Sequence, residues 1–159
     1  LLKPFHKIRL LKMRFFSILS AASVAAAIPT IATSDPPEVE ITNVHAKTLA
    51  NYTLVFEFDV VDNKDGQLAH CTGEWDEVNR FLSTTPCSIP SYNATIFFPN
   101  SVSGIQYWAA FVGIQDHANR YLAMVQTGTP SYTCGHSGTQ GVLSACFTET
   151  DFKIATVAI

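Results

Sequence analysis

The chain has 159 residues, of which 47% are hydrophobic and 14% charged, with 10 basic residues, 13 acidic residues and 4 cysteines. Residues 1–27 hold five of the basic residues and no acidic one, so the remainder carries a formal charge of −8. A chain this acidic repels polyphosphate and has no cluster of Lys or Arg, so we expect no nucleic-acid binding.

The segment that begins at Met13 has the pattern of a secretory signal peptide. Arg14 precedes an apolar run that ends in the small residues at 21–27. The run is shorter than the roughly 20 apolar residues of a transmembrane helix, so we expect secretion without a stable membrane anchor. Cleavage after Ala27 is the favoured prediction, and cleavage after Ala32 is the alternative.

These boundaries divide the chain into four predicted parts. Residues 1–12 are an upstream or non-native extension, residues 13–27 are the signal peptide, and residues 28–38 are an extended leader with a Pro-Pro pair. Residues 39–159 then form a single secreted β domain, which is long enough to bury one hydrophobic core.

Residues 51–71 predict a β-hairpin. Apolar side chains occupy alternate positions over residues 54–60, which places one face in a core and the other in water. Residues 63–66, Asn-Lys-Asp-Gly, have the composition of a tight turn.

Further strands are predicted at 38–48, 95–98, 105–114, 120–127, 142–147 and 152–159. The strand at 105–114 is apolar on both faces, a pattern that predicts cover on both sides. Residues 72–92, which include Pro86 and Pro90, predict an irregular connection, and residues 132–141 predict a glycine-containing loop. Frequent turns and little helical periodicity predict an all-β fold, either an antiparallel barrel or a sandwich.

The cysteines are even in number, which in a chain with a signal peptide predicts two disulfides and an oxidising compartment. They are Cys71, Cys87, Cys134 and Cys146. Three pairings are open, and pairing of sequence neighbours would close two short loops, each stabilising the fold by about 3 kcal/mol. Because no Cys-x-x-Cys pair or close series of Cys and His is present, we expect no metal and no cofactor.

Two N-glycosylation sequons are present, at Asn51 and Asn93. Each is followed by Thr at the second position after it, and use of either sequon predicts a surface position for its asparagine.

One polar segment has the residue types of an acid–base site. His70 lies near Glu74, Asp76, Glu77 and Arg80, and a secreted hydrolase or ribonuclease needs carboxylates together with a histidine. A solvated loop with a surface ion pair explains the same residues, and no nucleophile motif accompanies them. We therefore predict no catalytic residue, and a hydrolase or ribonuclease-like enzyme is the third alternative.

The strand pair from 105 to 127 is rich in large apolar side chains. It contains Tyr107, Trp108, Phe111, Tyr121 and Met124. Such residues either fill the core of a small β domain or form a binding surface, and we take this hairpin as the candidate binding surface.

In its layout, the chain resembles the secreted fungal family typified by the Alternaria major allergen, a β-barrel family that includes plant-directed elicitors and effectors. The motifs are the alternating strand YTLVFEF, Cys71 after a glycine-containing turn, Cys87, the segment RYLAMVQTGTPSYTC, and Cys146 before a closing strand that ends in KIATVAI. The resemblance covers roughly residues 39–159.

This resemblance implies the disulfides Cys71–Cys87 and Cys134–Cys146, and it supplies no catalytic residues. It implies an effector, elicitor or allergen-like protein that binds a plant extracellular defence-type protein, and it implies small phenolic ligands. The alternative function, from another class, is a carrier of a small phenolic or lipid-like ligand that uses the barrel interior or the hairpin from Tyr107 to Met124. Members of the family often form dimers through a cysteine near the mature N-terminus. No cysteine precedes Cys71 in this chain, so we expect no covalent dimer by that route.

Overall fold

Two antiparallel β-sheets form a sandwich in the computed structural model, which describes residues 36–76, 84–99, 103–128 and 131–159. These residues belong to one compact unit, Ser34–Ile159. The all-β prediction is confirmed, and the sandwich is the form that fits, because the described strands do not close into a barrel.

The described residues contain eleven strands. In chain order they are β1 (Val39–Leu49), β2 (Leu54–Asp62), β3 (Gln67–Trp75), β4 (Thr84–Pro86), β5 (Tyr92–Phe97), β6 (Tyr107–Ile114), β7 (Arg120–Gln126), β8 (Tyr132–Gly135), β9 (Val142–Thr148), β10 (Ile154–Ala155) and β11 (Val157–Ala158). The first sheet has the order β3-β2-β1-β9-β8, with β10 paired to β1, and the second has the order β11-β7-β6-β5-β4.

The predicted hairpin is confirmed as β2 and β3. The apolar side chains at alternate positions of β2 are buried, while the intervening side chains are only partly covered. The turn ends at Gly66, whose φ of +66° is a conformation that glycine adopts without a steric penalty. β3 then follows β2 in continuous register as far as Trp75.

Trp108 of β6 lies at the centre of the core between the two sheets. Its ring centroid is 4.7 Å from that of Phe56 and 5.9 Å from that of Phe58, both on β2. The indole Nε1 donates to the Tyr132 hydroxyl at 3.2 Å, and that hydroxyl donates to the carbonyl of Ile105 at 2.7 Å. Burial raises the pKa of Tyr132 to about 12, so this buried phenol is neutral at ordinary pH.

Both disulfides have the pairing that the resemblance implied. Cys71–Cys87 connects β3 of the first sheet to the residue that follows β4 of the second. Cys134–Cys146 joins register partners on β8 and β9, which are neighbours in the first sheet. One bridge therefore fastens the two sheets along an edge, and the other fastens two strands of one sheet.

Three segments differ from the sequence prediction. Part of the connection predicted at 72–92 is strand, because β3 continues to Trp75 and β4 pairs with β5. The loop predicted from residue 132 begins as β8, which is held by backbone pairing to β9. The closing strand at 152–159 is two short strands, because the chain passes from β1 of the first sheet to β7 of the second.

Glu40 and Lys153 hold this closing segment against β1. Lys153 Nζ donates to Glu40 Oε2 at 2.8 Å, and Asn63 Nδ2 donates to the same oxygen at 3.0 Å. Burial alone would raise the pKa of Glu40, but the hydrogen bonds from Asn63 and Lys153 and the charge of Lys153 hold that pKa below its ordinary value. The ionised carboxylate therefore contributes to stability.

We expect Lys153→Met to lower the free energy of unfolding at about pH 7 by about 0.5–1 kcal/mol, since Lys153 is about half exposed and partly screened. The folded-state pKa of Glu40 lies below its unfolded value. The stabilisation by the ionised Glu40 carboxylate is therefore present above the unfolded-state pKa and is lost as pH falls through the folded-state pKa. Urea unfolding at about pH 7 and about pH 3 measures the effect, and the difference between variant and parent should shrink at the lower pH.

Lys47→Met is the matched control, because Lys47 lies 3.5 Å from Glu57 with both side chains more than a third exposed. We expect this change to cost less than K153M at about pH 7. Equal losses for the two variants at both pH values would contradict the role given to Glu40.

Candidate functional site

The outward side of the second sheet carries an apolar surface, here called the aromatic face. Alternate positions of β5, β6, β7 and β11 form it: Phe97, Tyr107, Ala109, Phe111, Leu122, Met124 and Val157. The strand register places these side chains side by side, because Phe111 pairs with Leu122 and Leu122 pairs with Val157. Ala109 likewise lies between its register partners Phe97 and Met124.

Several side chains of the aromatic face are open to solvent. Phe97 is 37% exposed, Met124 is 41% exposed and Val157 is 65% exposed. The rings of Phe97 and Phe111 lie 5.8 Å apart between centroids, which makes a continuous aromatic area. Arg120 is the charged residue among the outward positions of β5, β6 and β7.

The structure divides the hairpin that the sequence proposed as a binding surface. Tyr107, Phe111 and Met124 belong to the aromatic face, whereas Trp108 and Tyr121 point inward and are fully buried. The division follows from the alternation of side chains along a strand. The prediction that β6 is covered on both sides is wrong, because Tyr107 and Phe111 on its outer side are only partly buried.

The outward side of the first sheet has a different character. Lys47 lies 3.5 Å from Glu57 across β1 and β2, and Asp59 accepts a hydrogen bond from Asn43 at 2.7 Å. The ring of His70 is 2.7 Å from Asp59 on the neighbouring strand. Charged and polar pairs therefore run along β1, β2 and β3 on this surface, which also exposes the apolar side chains of Leu68, Leu143 and Phe147.

A surface cleft of about 430 Å³ lies at one end of the sandwich. Its walls include Tyr52, Leu54, Trp75 and Gln106. Tyr52 is 71% exposed and has a φ of +63°, a conformation that bulky L-residues rarely adopt. A strained and exposed aromatic residue beside a cleft is a feature of ligand sites.

A buried carboxylate lies where β2 ends. Asp62 is 0% exposed, and its Oδ1 accepts the backbone N–H groups of Lys64 and Asp65 at 3.0 and 3.2 Å. Its Oδ2 accepts the hydroxyl of Tyr92, from the second sheet, at 2.9 Å. Burial raises the pKa of Tyr92, and the adjacent Asp62 carboxylate raises it further, so the phenol remains a donor.

His117, in the turn between β6 and β7, completes this cluster. Its side chain is 1% exposed, and its Nδ1 lies 2.7 Å from the hydroxyl of Tyr121. Its Nε2 lies 3.2 Å from Asp62 Oδ2 and 3.9 Å from Asp65 Oδ2, yet it has no hydrogen-bond partner. Burial, together with a hydrogen bond to Glu38, raises the pKa of Tyr121 to about 12.

We call the five residues Asp62, Asp65, Tyr92, His117 and Tyr121 the polar cluster. Sequence patterns do not predict this cluster, because its members come from three strands and two turns that are far apart in the chain. One signal was present: the inward positions of β2 continue from Leu54 to Asp62, where an acidic residue occupies an apolar register. A charge at a core position predicts a buried partner.

The acid–base segment predicted from the sequence is not brought together in the described residues. His70 and Glu74 lie on the outer side of β3, four residues or about 13 Å apart along the strand. His70 contacts Asp59 instead. Glu77 and Arg80 lie outside the described residues, and Asp76 follows the end of β3.

Both sequons have exposed asparagines, and their use stays a prediction. Asn51 lies in the turn between β1 and β2, where its side-chain oxygen accepts the N–H of Thr53 at 3.2 Å. Asn93 lies on β5 with its side chain against Gly113, where an added Cβ would come within 2.8 Å of its oxygen. A glycan at Asn93 would therefore project from the same side of the sheet as the aromatic face.

The fold and its bridges define an all-β sandwich with two disulfides, which is typical of an extracellular or otherwise oxidising environment. Among the described residues, no helix has the length and hydropathy to cross a membrane. The predicted signal peptide and the extension before it lie outside the described residues. Comparison with protein-family models, curated proteins and solved structures finds no match.

We expect Tyr92→Phe to lower the free energy of unfolding by about 1.5–3 kcal/mol, because Asp62 then loses a donor that water cannot replace. Denaturant unfolding measures the loss. Tyr52→Phe is the control at an exposed position and should change stability by less than about 0.5 kcal/mol. If the two variants were equally stable, the Tyr92 hydrogen bond would have no structural importance.

Proposed function

We propose that the chain is a secreted, non-enzymatic binding protein that acts as an effector or elicitor. In this proposal its aromatic face binds a host extracellular protein, as the resemblance to the Alternaria allergen-type family implies. The observation that carries the proposal is the contrast between the two outer surfaces of the sandwich. Charged and polar pairs lie among the apolar side chains of one surface, whereas Phe97, Met124 and Val157 belong to a continuous apolar area on the other.

The composition of the aromatic face supports a macromolecular partner. Aromatic residues and Met are enriched at the centres of protein interfaces, where they bury large areas at little cost in side-chain entropy. Adjacent rings of Phe97 and Phe111 on one side of a sheet offer a broad surface for such a contact. Arg120 lies at the margin of this surface, as expected of a polar rim.

Charge favours a basic partner over a second copy of the chain. Residues 28–159 carry a formal charge of −8, so two copies repel each other as they approach. A basic protein is attracted by the same field, which raises its rate of association. The two disulfides are consistent with action in an oxidising space outside the cell.

The test is affinity capture from plant apoplastic fluid, followed by surface plasmon resonance with the purified partner. We expect Phe97→Ser and Met124→Lys each to weaken binding about 10-fold or more, because each removes apolar contact from the centre of the interface. Leaf infiltration with the same variants should give a correspondingly weaker defence response.

Leu143→Lys is the matched control, since Leu143 is an exposed apolar residue on β9 of the first sheet, 43% exposed. It should leave the affinity within about 3-fold of the parent. Three results would refute the proposal: no partner with measurable affinity, equal effects of L143K and M124K, or a stable homodimer that M124K dissociates.

A second candidate function is binding of a small phenolic ligand in the cleft at the end of the sandwich. The exposed and strained Tyr52 favours this alternative, since Trp75 in the same cleft offers a second aromatic surface. The space between the sheets is a poorer site, because Trp108, Phe56 and Phe58 fill its centre.

Fluorescence titration with a panel of small phenols tests the cleft, because the chain has two tryptophans and Trp108 is 0% exposed. We expect saturable quenching that Trp75→Phe abolishes and Tyr52→Ala weakens about 10-fold. Tyr107→Ala, on the aromatic face, should leave the titration unchanged. Quenching that does not saturate, or that survives in W75F, would exclude the cleft as the site.

A further inference from the structure

We propose that Asp62, Asp65 and His117 bind a divalent transition-metal cation of the zinc class at one end of the sandwich. One ligand atom from each of the three residues lies within 4.8 Å of the other two. This site is independent of the aromatic face and of the cleft, and it goes beyond the proposed function. It also replaces the expectation from the sequence that the chain has no metal site.

The hydrogen bonds around His117 leave Nε2 ready to act as a ligand. The Tyr121 hydroxyl lies 2.7 Å from His117 Nδ1, close enough to accept its proton. A neutral imidazole protonated at Nδ1 has its lone pair on Nε2. Metal-bound histidines are oriented in this way, with the second ring nitrogen donating to a fixed oxygen acceptor.

Nε2 of His117 is buried beside carboxylate oxygens. His117 is 1% exposed, and Nε2 lies 3.2 Å from Asp62 Oδ2 without forming a hydrogen bond. A nitrogen lone pair close to a carboxylate in a buried site is unfavourable unless a proton or a metal cation lies between them. Asp62 Oδ2 is close enough to Nε2 for a hydrogen bond, but it lies too far from the direction of an Nε2–H bond. This geometry suits two ligands of one metal ion, because each ligand points at the ion and not at the other ligand.

Asp62 has one acceptor position left for such an ion. Its Oδ1 accepts two backbone N–H groups, and its Oδ2 accepts the Tyr92 hydroxyl. A carboxylate has about four acceptor positions, so the remaining one belongs to Oδ2, the oxygen near His117. The three hydrogen bonds fix the carboxylate in place, as outer-shell partners do for metal ligands.

The spacing of the ligand atoms fits zinc. With bonds of about 2.0–2.2 Å, two ligands at a tetrahedral angle lie about 3.4 Å apart. Nε2 and Asp62 Oδ2 are 3.2 Å apart, and Nε2 and Asp65 Oδ2 are 3.9 Å apart. Asp65 is about half exposed, so its side chain can turn by the small amount that coordination requires. An imidazole ligand favours zinc and its neighbours over calcium or magnesium, which prefer all-oxygen sites.

The local charge also favours a cation. Glu38 lies 3.5 Å from His117 Nδ1, and the charges of Asp62, Asp65 and Asp116 all act on Tyr92. Lys64 Nζ lies 3.7 Å from Glu38 Oε1 and offsets part of this charge. A divalent ion would offset much of the remaining negative charge.

A bound ion would join the two sheets. Asp62 and Asp65 belong to the end of β2 and the turn after it, while His117 belongs to the turn between β6 and β7. Since a ligand that binds only the folded state stabilises it, zinc should raise the melting temperature. The proposed ion would fasten one end of the sandwich, whereas Cys71–Cys87 fastens an edge.

The test uses the purified, tag-free protein after treatment with EDTA and desalting. Isothermal titration with Zn²⁺ should show one ion per chain, and saturating Zn²⁺ should raise the melting temperature by about 5–10 °C. Co²⁺ should give the visible absorption of a protein-bound ion. Mg²⁺ and Ca²⁺ at the same concentration should shift the melting temperature by less than about 1 °C.

Asp65→Asn and His117→Gln are the informative variants, because loss of the fully buried Asp62 carboxylate would also affect folding. Asp65 is exposed, so D65N should fold normally and bind Zn²⁺ at least about 10-fold more weakly, and H117Q should abolish the shift in melting temperature. His70→Gln is the matched control, since His70 and Asp59 form an exposed histidine–aspartate pair. It should leave zinc binding unchanged.

Three results would overturn the proposal. The first is the absence of saturable Zn²⁺ binding. The second is binding that survives in D65N and H117Q but is lost in H70Q. The third is an NMR spectrum in which His117 carries a proton on Nε2 both before and after addition of Zn²⁺.

Discussion

The packing of Trp108 against Phe56 and Phe58 is the contact on which the rest of the sandwich depends. It joins β6, the middle strand of the second sheet, to β2 of the first, and full burial of a tryptophan removes a larger apolar area from water than any other side chain does. The buried indole N–H needs an acceptor, and the Tyr132 hydroxyl supplies it while donating to the chain before β6. The core therefore fixes the position of β8 as well as the relation between the sheets.

With Trp108 directed inward, the neighbouring positions of β6 must face outward. Tyr107, Ala109 and Phe111 are therefore placed on the outer side of the second sheet, where Phe97 and Met124 join them. On the outer side of the first sheet, acidic and basic side chains lie among the exposed apolar residues Leu68, Leu143 and Phe147. The proposed binding function depends on this difference between the two outer surfaces. The difference arises because Trp108 points inward from β6, so that Tyr107 and Phe111 point outward.

The polar cluster at the end of the sandwich is the second point at which the two sheets meet. A buried charge is costly unless hydrogen bonds or an opposite charge compensate for it, and Asp62 has both backbone donors and the Tyr92 hydroxyl. His117 lies within reach but forms no hydrogen bond through Nε2. The Asp62 carboxylate therefore has hydrogen-bond donors at both oxygens, whereas Nε2 of His117 has no partner. The proposed metal ion would bind this nitrogen.

The sequence by itself determined most of the longer strands, the turn at 63–66, the all-β class and the presence of paired cysteines, because these depend on local periodicity and composition. Alternation also identified which residues of β2 share a face, but β6 is apolar on both faces, and its pattern left the direction of Trp108 and Phe111 undecided. Only the tertiary structure placed His117 beside Asp62, from which it is separated by four strands. Periodicity assigns residues to the faces of a strand, whereas contacts between sheets depend on how the whole chain packs.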